Sequence, residues 1–167
     1  MRKSANEAED VQFERNIIVS EKDLLLEKKL NSQQRRAYNI ILDRVYSHKP
    51  GAFFIDGLGG TGKTFLYRAL LANIRSKGFI ALATASSDVA VSILPGGRTA
   101  HSRFKISIID ENFTCNISKQ IALATLIQDS KLIVWDEASM AKKKMIEAFD
   151  TLLKDLMNTN ILFGVKL

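Results

Sequence analysis

Residues Gly57-Leu58-Gly59-Gly60-Thr61-Gly62-Lys63-Thr64 follow the spacing G-x-x-x-x-G-K-[ST]. That spacing suits one task, wrapping a phosphate chain in backbone N–H groups. Side chains at Gly57, Gly59, Gly60 and Gly62 would stand between backbone and ligand, and glycine takes the left-handed angles a tight loop needs. Thr61 lies inside the same cradle. Lys63 supplies a mobile cation to the β and γ phosphates, and the Thr64 hydroxyl offers a ligand to Mg²⁺. A helix starting here points its positive end at the same phosphates. The four fixed positions arise by accident in roughly 0.5% of chains of this length, so a chance match in a turn is the weaker reading. The second feature is the carboxylate pair Asp136-Glu137, which closes the apolar run 131–135. In open α/β sheets, ligands lie beyond the carboxyl ends of the strands, so the pair and the loop can share a rim. There Asp136 would hold Mg²⁺ through its water, and Glu137 would orient and deprotonate an attacking water. A carboxylate beside the metal aspartate favours hydrolysis over transfer to a second substrate. The plain alternative is a solvated pair in a strand-to-helix turn.

The hydrophobic periodicity supplies elements to position these groups. A helix is predicted over 33–47, capped by Ser32, with Ala37, Ile40, Ile41 and Val45 at helical spacing and Pro50-Gly51 ending it. Ala52-Phe53-Phe54-Ile55 reads as a short buried strand running into the glycine loop. A helix over 63–77 turns Leu66, Ala69, Leu70 and Ile74 inward and stops at Gly78. Further buried strands are predicted over 79–84 and 131–135. Helices are predicted over 87–94, 121–128 and 142–157, the last with Met145, Phe149, Leu152, Leu153 and Leu156 inward. Residues 106–118 fit no single element, and 161–167 read as an approach to another strand. Residues 1–29 are charged and weakly patterned, an N-terminal arm. Strands alternating with helices imply parallel pairing and an open α/β sheet.

At 167 residues the chain suits one domain, or two at a stretch. Apolar residues make up 46% and charged residues 25%, a balance that excludes wholesale disorder. The single cysteine, Cys115, excludes a disulfide framework and a cysteine-built zinc site, suits a reducing compartment, and reads as inert. The net charge is +6, while residues 1–29 carry six basic and seven acidic side chains, so the surplus sits in the remainder. Such a surplus permits a polyanionic partner without requiring one. Lys142-Lys143-Lys144 reads as a solvated helix face. No uncharged run reaches the roughly 18–20 residues of a membrane span. The first ten residues lack an apolar signal core, and Glu7, Glu9 and Asp10 argue against a mitochondrial presequence.

Five segments occur in a telling order: Leu30-Asn31-Ser32-Gln33-Gln34, the glycine loop, Thr84-Ala85-Ser86-Ser87, Pro95-Gly96-Gly97-Arg98-Thr99-Ala100-His101-Ser102-Arg103-Phe104, and Asp136-Glu137-Ala138-Ser139-Met140. The chain thereby resembles the PIF-type (petite integration frequency) DNA helicases of superfamily 1, and most closely their plant members related to Helitron transposons. The resemblance covers residues 30–167. Many ATPases share the loop, whereas G-G-R-T-A-H-S-x-F is far more specific. The resemblance implies a RecA-like P-loop NTPase domain with a parallel sheet, ATP and Mg²⁺ as cofactors, and single-stranded DNA as partner. It assigns Gln34 to the adenine base, which an amide can pair through the N6 and N7 edge. Thr84, Ser86 and Ser87 match a motif that touches the single-strand backbone. Thr99, His101 and Phe104 fall in the next DNA-facing segment, where rings can stack on bases. A solvated polar residue for Gln34, a structural histidine for His101 and plain core for Phe104 are the competing readings.

The family pattern runs on into a strand ending in G-D-x-R-Q, whereas this sequence stops at Leu167, with Val165 where glycine is usual. The expectation is a domain truncated before the strand of the third helicase motif and lacking the second RecA-like domain. Such a chain is the N-terminal ATPase half of a 5′-to-3′ ATP-dependent DNA helicase, not competent to unwind alone. It should also be poorly stable, because the missing strand would leave two unpaired edges. The alternatives are a nucleotide-binding remnant without turnover, a non-functional transposon-derived fragment, or another phosphate-loop ATPase, against which Gln34 and the G-G-R-T-A-H-S-x-F segment argue. Nuclear localisation follows from the resemblance alone, with no targeting signal in the sequence.

Overall fold

The computed structural model describes residue 9 and residues 11–58, 60–109, 112–115 and 121–165. A short helix over 11–15 leads to α1 (Glu21–Leu24), α2 (Ser32–Tyr46) and α3 (Lys63–Ser76). Then come β1 (Ala81–Ala85), α4 (Asp88–Ile93), β2 (Arg98–Thr99) and α5 (Ala100–Phe104). The chain continues through β3 (Ile106–Ile109), β4 (Asn112–Cys115), α6 (Ile121–Asp129), β5 (Leu132–Asp136) and α7 (Lys143–Met157).

The main sheet has the order β2-β1-β5, with both pairings parallel. β1 is buried along its whole length, as a central strand covered on both faces must be. Successive side chains point to opposite faces. Ala81 and Ala83, with Leu132 and Val134, join α2 and α3 in one core around Leu66, Leu70 and Ile74. Leu82 joins α5, α6 and α7 in a second core around Phe104, Ile127 and Phe149, with Ile133 and Trp135 packed against it. The result is an open α/β sheet between two helical layers, as the periodicity implies.

The elements depart from the sequence reading in five places. First, 52–55 is extended but pairs with no strand among the described residues, and Phe53 and Phe54 are 43% and 77% exposed. An apolar run becomes a strand only beside a partner ladder, and 52–55 joins none: among the described residues β5 pairs with β1 alone, and β3 with β4. Second, Ile106–Ile109 and Asn112–Cys115 are antiparallel strands paired with each other, with Ile106 opposite Cys115. The side chain of Cys115 lies outside the described residues. Third, α2 is capped by Asn31 rather than Ser32, in a capping box in which Asn31 accepts from the Gln34 N–H and Gln34 accepts from the Asn31 N–H. Its inward face carries Tyr38, Ile41 and Val45, while Ile40 is exposed. Fourth, 162–165 form a 3₁₀ turn held by Phe163 N–H donating to Asp150 Oδ1 at 2.5 Å, not a strand approach.

Fifth, the N-terminal segment is no free arm from residue 11 onward. Glu14 is buried and ion-paired with buried Arg103, Asp23 pairs with Arg68 at 2.5 Å, and Leu26 sits in the first core. Those acidic residues look like surface charge in sequence, yet each meets a cation projecting from the core. Lys142, Lys143 and Lys144 are exposed, as a solvated helix face requires.

Candidate nucleotide site

The glycine loop leads straight into α3, whose first residue is Lys63. Gly60 and Gly62 take left-handed angles, φ 81° and 78°, which side-chain-bearing residues adopt at a cost of roughly 1–2 kcal/mol. Gly57 is needed for space: a Cβ there would stand 2.8 Å from Thr61 Oγ1. Thr61 fastens the loop on itself, its hydroxyl donating to Leu58 O at 2.8 Å. The Lys63 ammonium donates to the Gly57 carbonyl across the loop. Lys63 thus bridges the two ends of the cradle and, with three N–H donors, has protons left for a phosphate. Gly59 lies outside the described residues.

The acidic pair reaches this rim. Asp136 ends β5 in register with Ala85 of β1. Its Oδ2 accepts from the Thr64 hydroxyl at 3.0 Å, joining positions 72 apart in sequence. Its Oδ1 accepts from the Glu137 N–H at 2.9 Å. The carboxylate is 5% exposed. Among the described residues no three His, Cys, Asp or Glu side chains cluster as a metal cage. One buried carboxylate and one hydroxyl are hard oxygen ligands that fit Mg²⁺, an ion that keeps water and takes its remaining ligands from phosphate. Glu137 turns elsewhere: its Oε2 accepts from the Ser87 hydroxyl at 2.6 Å, and its backbone is left-handed at φ 55°.

Gln34 lies against the loop. Its Nε2 donates to Thr61 O and Gly62 O, both at 3.3 Å, while Oε1 holds the α2 cap. The amide is therefore engaged on both sides, and pairing with a base requires it to exchange these bonds.

The DNA-facing candidates divide. Thr84 is fully buried in β1, and its hydroxyl has no hydrogen-bond partner among the described residues. Phe104 is fully buried, with ring centroids 4.4 Å from Phe149 and 6.2 Å from Trp135. Neither offers a surface to a nucleic acid, so both readings are corrected: β1 is central in the sheet, and α5 turns Phe104 into the second core. Ser86, Ser87 and Thr99 are half-buried and His101 is exposed. Thr99 caps α5 by accepting from the Ser102 N–H at 3.3 Å.

Two residues near the site escaped the sequence reading. Tyr67, one helical turn beyond Thr64, has its phenol pushed up to about 12 by burial and then by the negative charge of Asp136. Its position at i+3 from Thr64 was the available signal. Trp135 donates from Nε1 to Ser86 Oγ at 3.0 Å, tying β5 to the end of β1. It is the only tryptophan in the chain and directly precedes the acidic pair.

Comparison with known proteins places the chain in a family. The PIF1-like helicase family matches residues 29–167. The ATP-dependent DNA helicase PIF4 of Trypanosoma brucei brucei is 30% identical over 127 residues, which are 72% of this chain and 14% of that protein. The ATP-dependent DNA helicase PIF1 of the same organism is 32% identical over 126 residues, 75% of this chain and 12% of that protein. The chain thus spans about an eighth of the length of these curated relatives. Among solved structures, Pif1 helicase from Bacteroides in complex with ADP-AlF3 and single-stranded DNA superposes with a TM-score of 0.64 at 23% identity, over 82% of this chain and 30% of that one. That likeness establishes a RecA-like α/β fold. A family match reaching from the α2 cap through the glycine loop to the acidic pair spans every group described above, and the chain belongs to the PIF1-like helicase family.

Proposed function

We propose that the chain is the ATP-binding half of an ATP-dependent DNA helicase that binds MgATP and contacts single-stranded DNA. The observation that carries this is the Thr64–Asp136 contact, which sets the phosphate loop and the acidic pair on one rim. In this reading the loop N–H groups and Lys63 hold the phosphates, and Thr64 and Asp136 hold Mg²⁺. The metal's role is to neutralise charge developing on the phosphate oxygens. Glu137 orients the attacking water and takes its proton, while Gln34 exchanges its backbone contacts for the adenine edge. Ser86, Ser87, Thr99 and His101 supply the single-strand contacts. Bacteroides Pif1 is known in complexes with single-stranded DNA and with ADP-AlF3, which supports both ligands. A 5′-to-3′ polarity, a nuclear location and kinship with Helitron-related plant proteins rest on the family resemblance alone.

Unwinding needs a second RecA-like domain closing on ATP, so this chain by itself should bind without unwinding. The test compares binding of a fluorescent ATP analogue, with and without Mg²⁺, by the wild type and by Lys63→Ala. Single-strand binding is followed in parallel. Mg²⁺-dependent binding lost in the variant supports the proposal; binding that survives Lys63→Ala overturns the site. A nucleotide-binding remnant would bind ATP without a response to DNA.

A further inference from the structure

We propose that Ser87 is the positioning residue through which bound single-stranded DNA releases Glu137 to act on water. The inference rests on the reading above, in which Glu137 is the base and Ser87 lies at the single-strand backbone.

The argument is a count of protons. A serine hydroxyl has one proton to donate. In Ser87 that proton goes to Glu137 Oε2, and at 2.6 Å the bond is short, as charge-assisted bonds are. Ser87 Oγ in turn accepts from the Ala90 N–H at 3.2 Å, capping α4. A DNA phosphate oxygen can only accept, and the only proton the Ser87 hydroxyl can offer it is the one Glu137 uses. Ser87 can serve the carboxylate or the phosphate, not both at full strength.

The surroundings make this exchange local. Glu137 holds its pose from a left-handed backbone, φ 55° and ψ 32°, a conformation that costs energy for a residue with a side chain. Its N–H is tied to Asp136, so loss of the Ser87 bond frees the carboxylate without moving the metal aspartate. The ends of β1 and β5 are locked together by Ser86 N–H donating to Asp136 O at 3.2 Å and by Trp135 donating to Ser86. A phosphate that reaches 86–87 therefore acts directly on the neighbour of the catalytic carboxylate.

Coupling of this kind is reciprocal. If DNA and Glu137 compete for one proton, removing Glu137 must tighten DNA. The experiment titrates the chain into a labelled oligothymidylate without nucleotide, reading anisotropy, with Trp135 emission as the local reporter. The proteins are wild type, Glu137→Ala, Ser87→Gly and the double variant. Glycine is chosen because it replaces a serine cap with little loss of helix stability. Glu137→Ala should bind about tenfold tighter than wild type, and in the Ser87→Gly background the same change should give at most about twofold. Ser87→Thr, which keeps the hydroxyl, should restore the full effect. Equal tightening in both backgrounds would mean a bulk charge effect and sinks the proposal, as does no tightening. Wild type that binds no oligonucleotide takes down the DNA reading and this inference together; wild type that binds normally with additive effects takes down the inference alone.

Discussion

At Gly62 a Cβ would lie 2.5 Å from the Gln34 amide nitrogen on a backbone at φ 78°. An alanine there meets a strained backbone angle and a bound amide at once. Gly62→Ala should therefore weaken MgATP binding at least tenfold, at about 1–2 kcal/mol of backbone strain plus the displaced Gln34 contact. A fluorescent ATP analogue reads this directly, and unchanged affinity would show that the loop has slack. Gln34→Ala should lower stability by about 1 kcal/mol through the broken capping box, seen as an earlier urea midpoint. The loop itself was legible in the sequence, because spacing alone dictates where a phosphate cradle needs glycine. The Gln34 contact was not, because it depends on α2 approaching the loop across 27 positions of chain.

The elements with strong periodicity were legible for the same reason that they are stable. In α7 the sequence places Met145, Phe149, Leu152 and Leu153 on one face, and all four are buried. β1 and β5 were legible as unbroken apolar runs covered on both faces. The 52–55 run has an equal apolar content, but strand formation is a property of a pair, and no sequence window contains the partner. The N-terminal clasp was invisible because Glu14 and Arg103 are 89 positions apart. Arg103 also donates to Ala83 O at 3.0 Å and Gly96 O at 2.9 Å, so it links β1, the turn after α4 and the N-terminal helix. Removing one member of a buried pair strands the other charge. Glu14→Ala should cost about 3–5 kcal/mol, whereas Glu14→Gln, which keeps an acceptor for the guanidinium, should cost less. Urea unfolding of both variants checks this, and a Glu14→Ala loss under 1 kcal/mol would mean that the clasp is solvated.

At the scale of the whole molecule, two features set its behaviour in solution. One is the state of its three tyrosines. Tyr38, Tyr46 and Tyr67 all have phenols raised by burial, Tyr67 to about 12. The native state therefore holds protons that the unfolded chain gives up near pH 10, the ordinary value for tyrosine. Stability from these phenols is complete below about pH 10 and is lost as the pH rises from there through the native values. Tyrosinate absorbance should then appear together with loss of the helical dichroism signal. A tyrosine that ionises near pH 10 while the helices persist would contradict the burial. The other feature is the sheet edge. β5 pairs only with β1 among the described strands, and the 52–55 segment leaves Phe53 and Phe54 exposed. An unpaired parallel edge is a template for another strand, and exposed apolar side chains add to the tendency to associate. Within the residues described, nothing covers it with charge: β5 reads Leu-Ile-Val-Trp before Asp136. The isolated chain should therefore self-associate as its concentration rises, giving a light-scattering mass above the 18.7 kDa of one copy. Phe53→Lys with Phe54→Lys should shift it toward the monomer, because charge on an exposed apolar patch disfavours association. Association that persists unchanged in the double lysine variant would place the contact elsewhere. A wild type that stays monomeric and melts in one sharp transition would show that the edge is already protected.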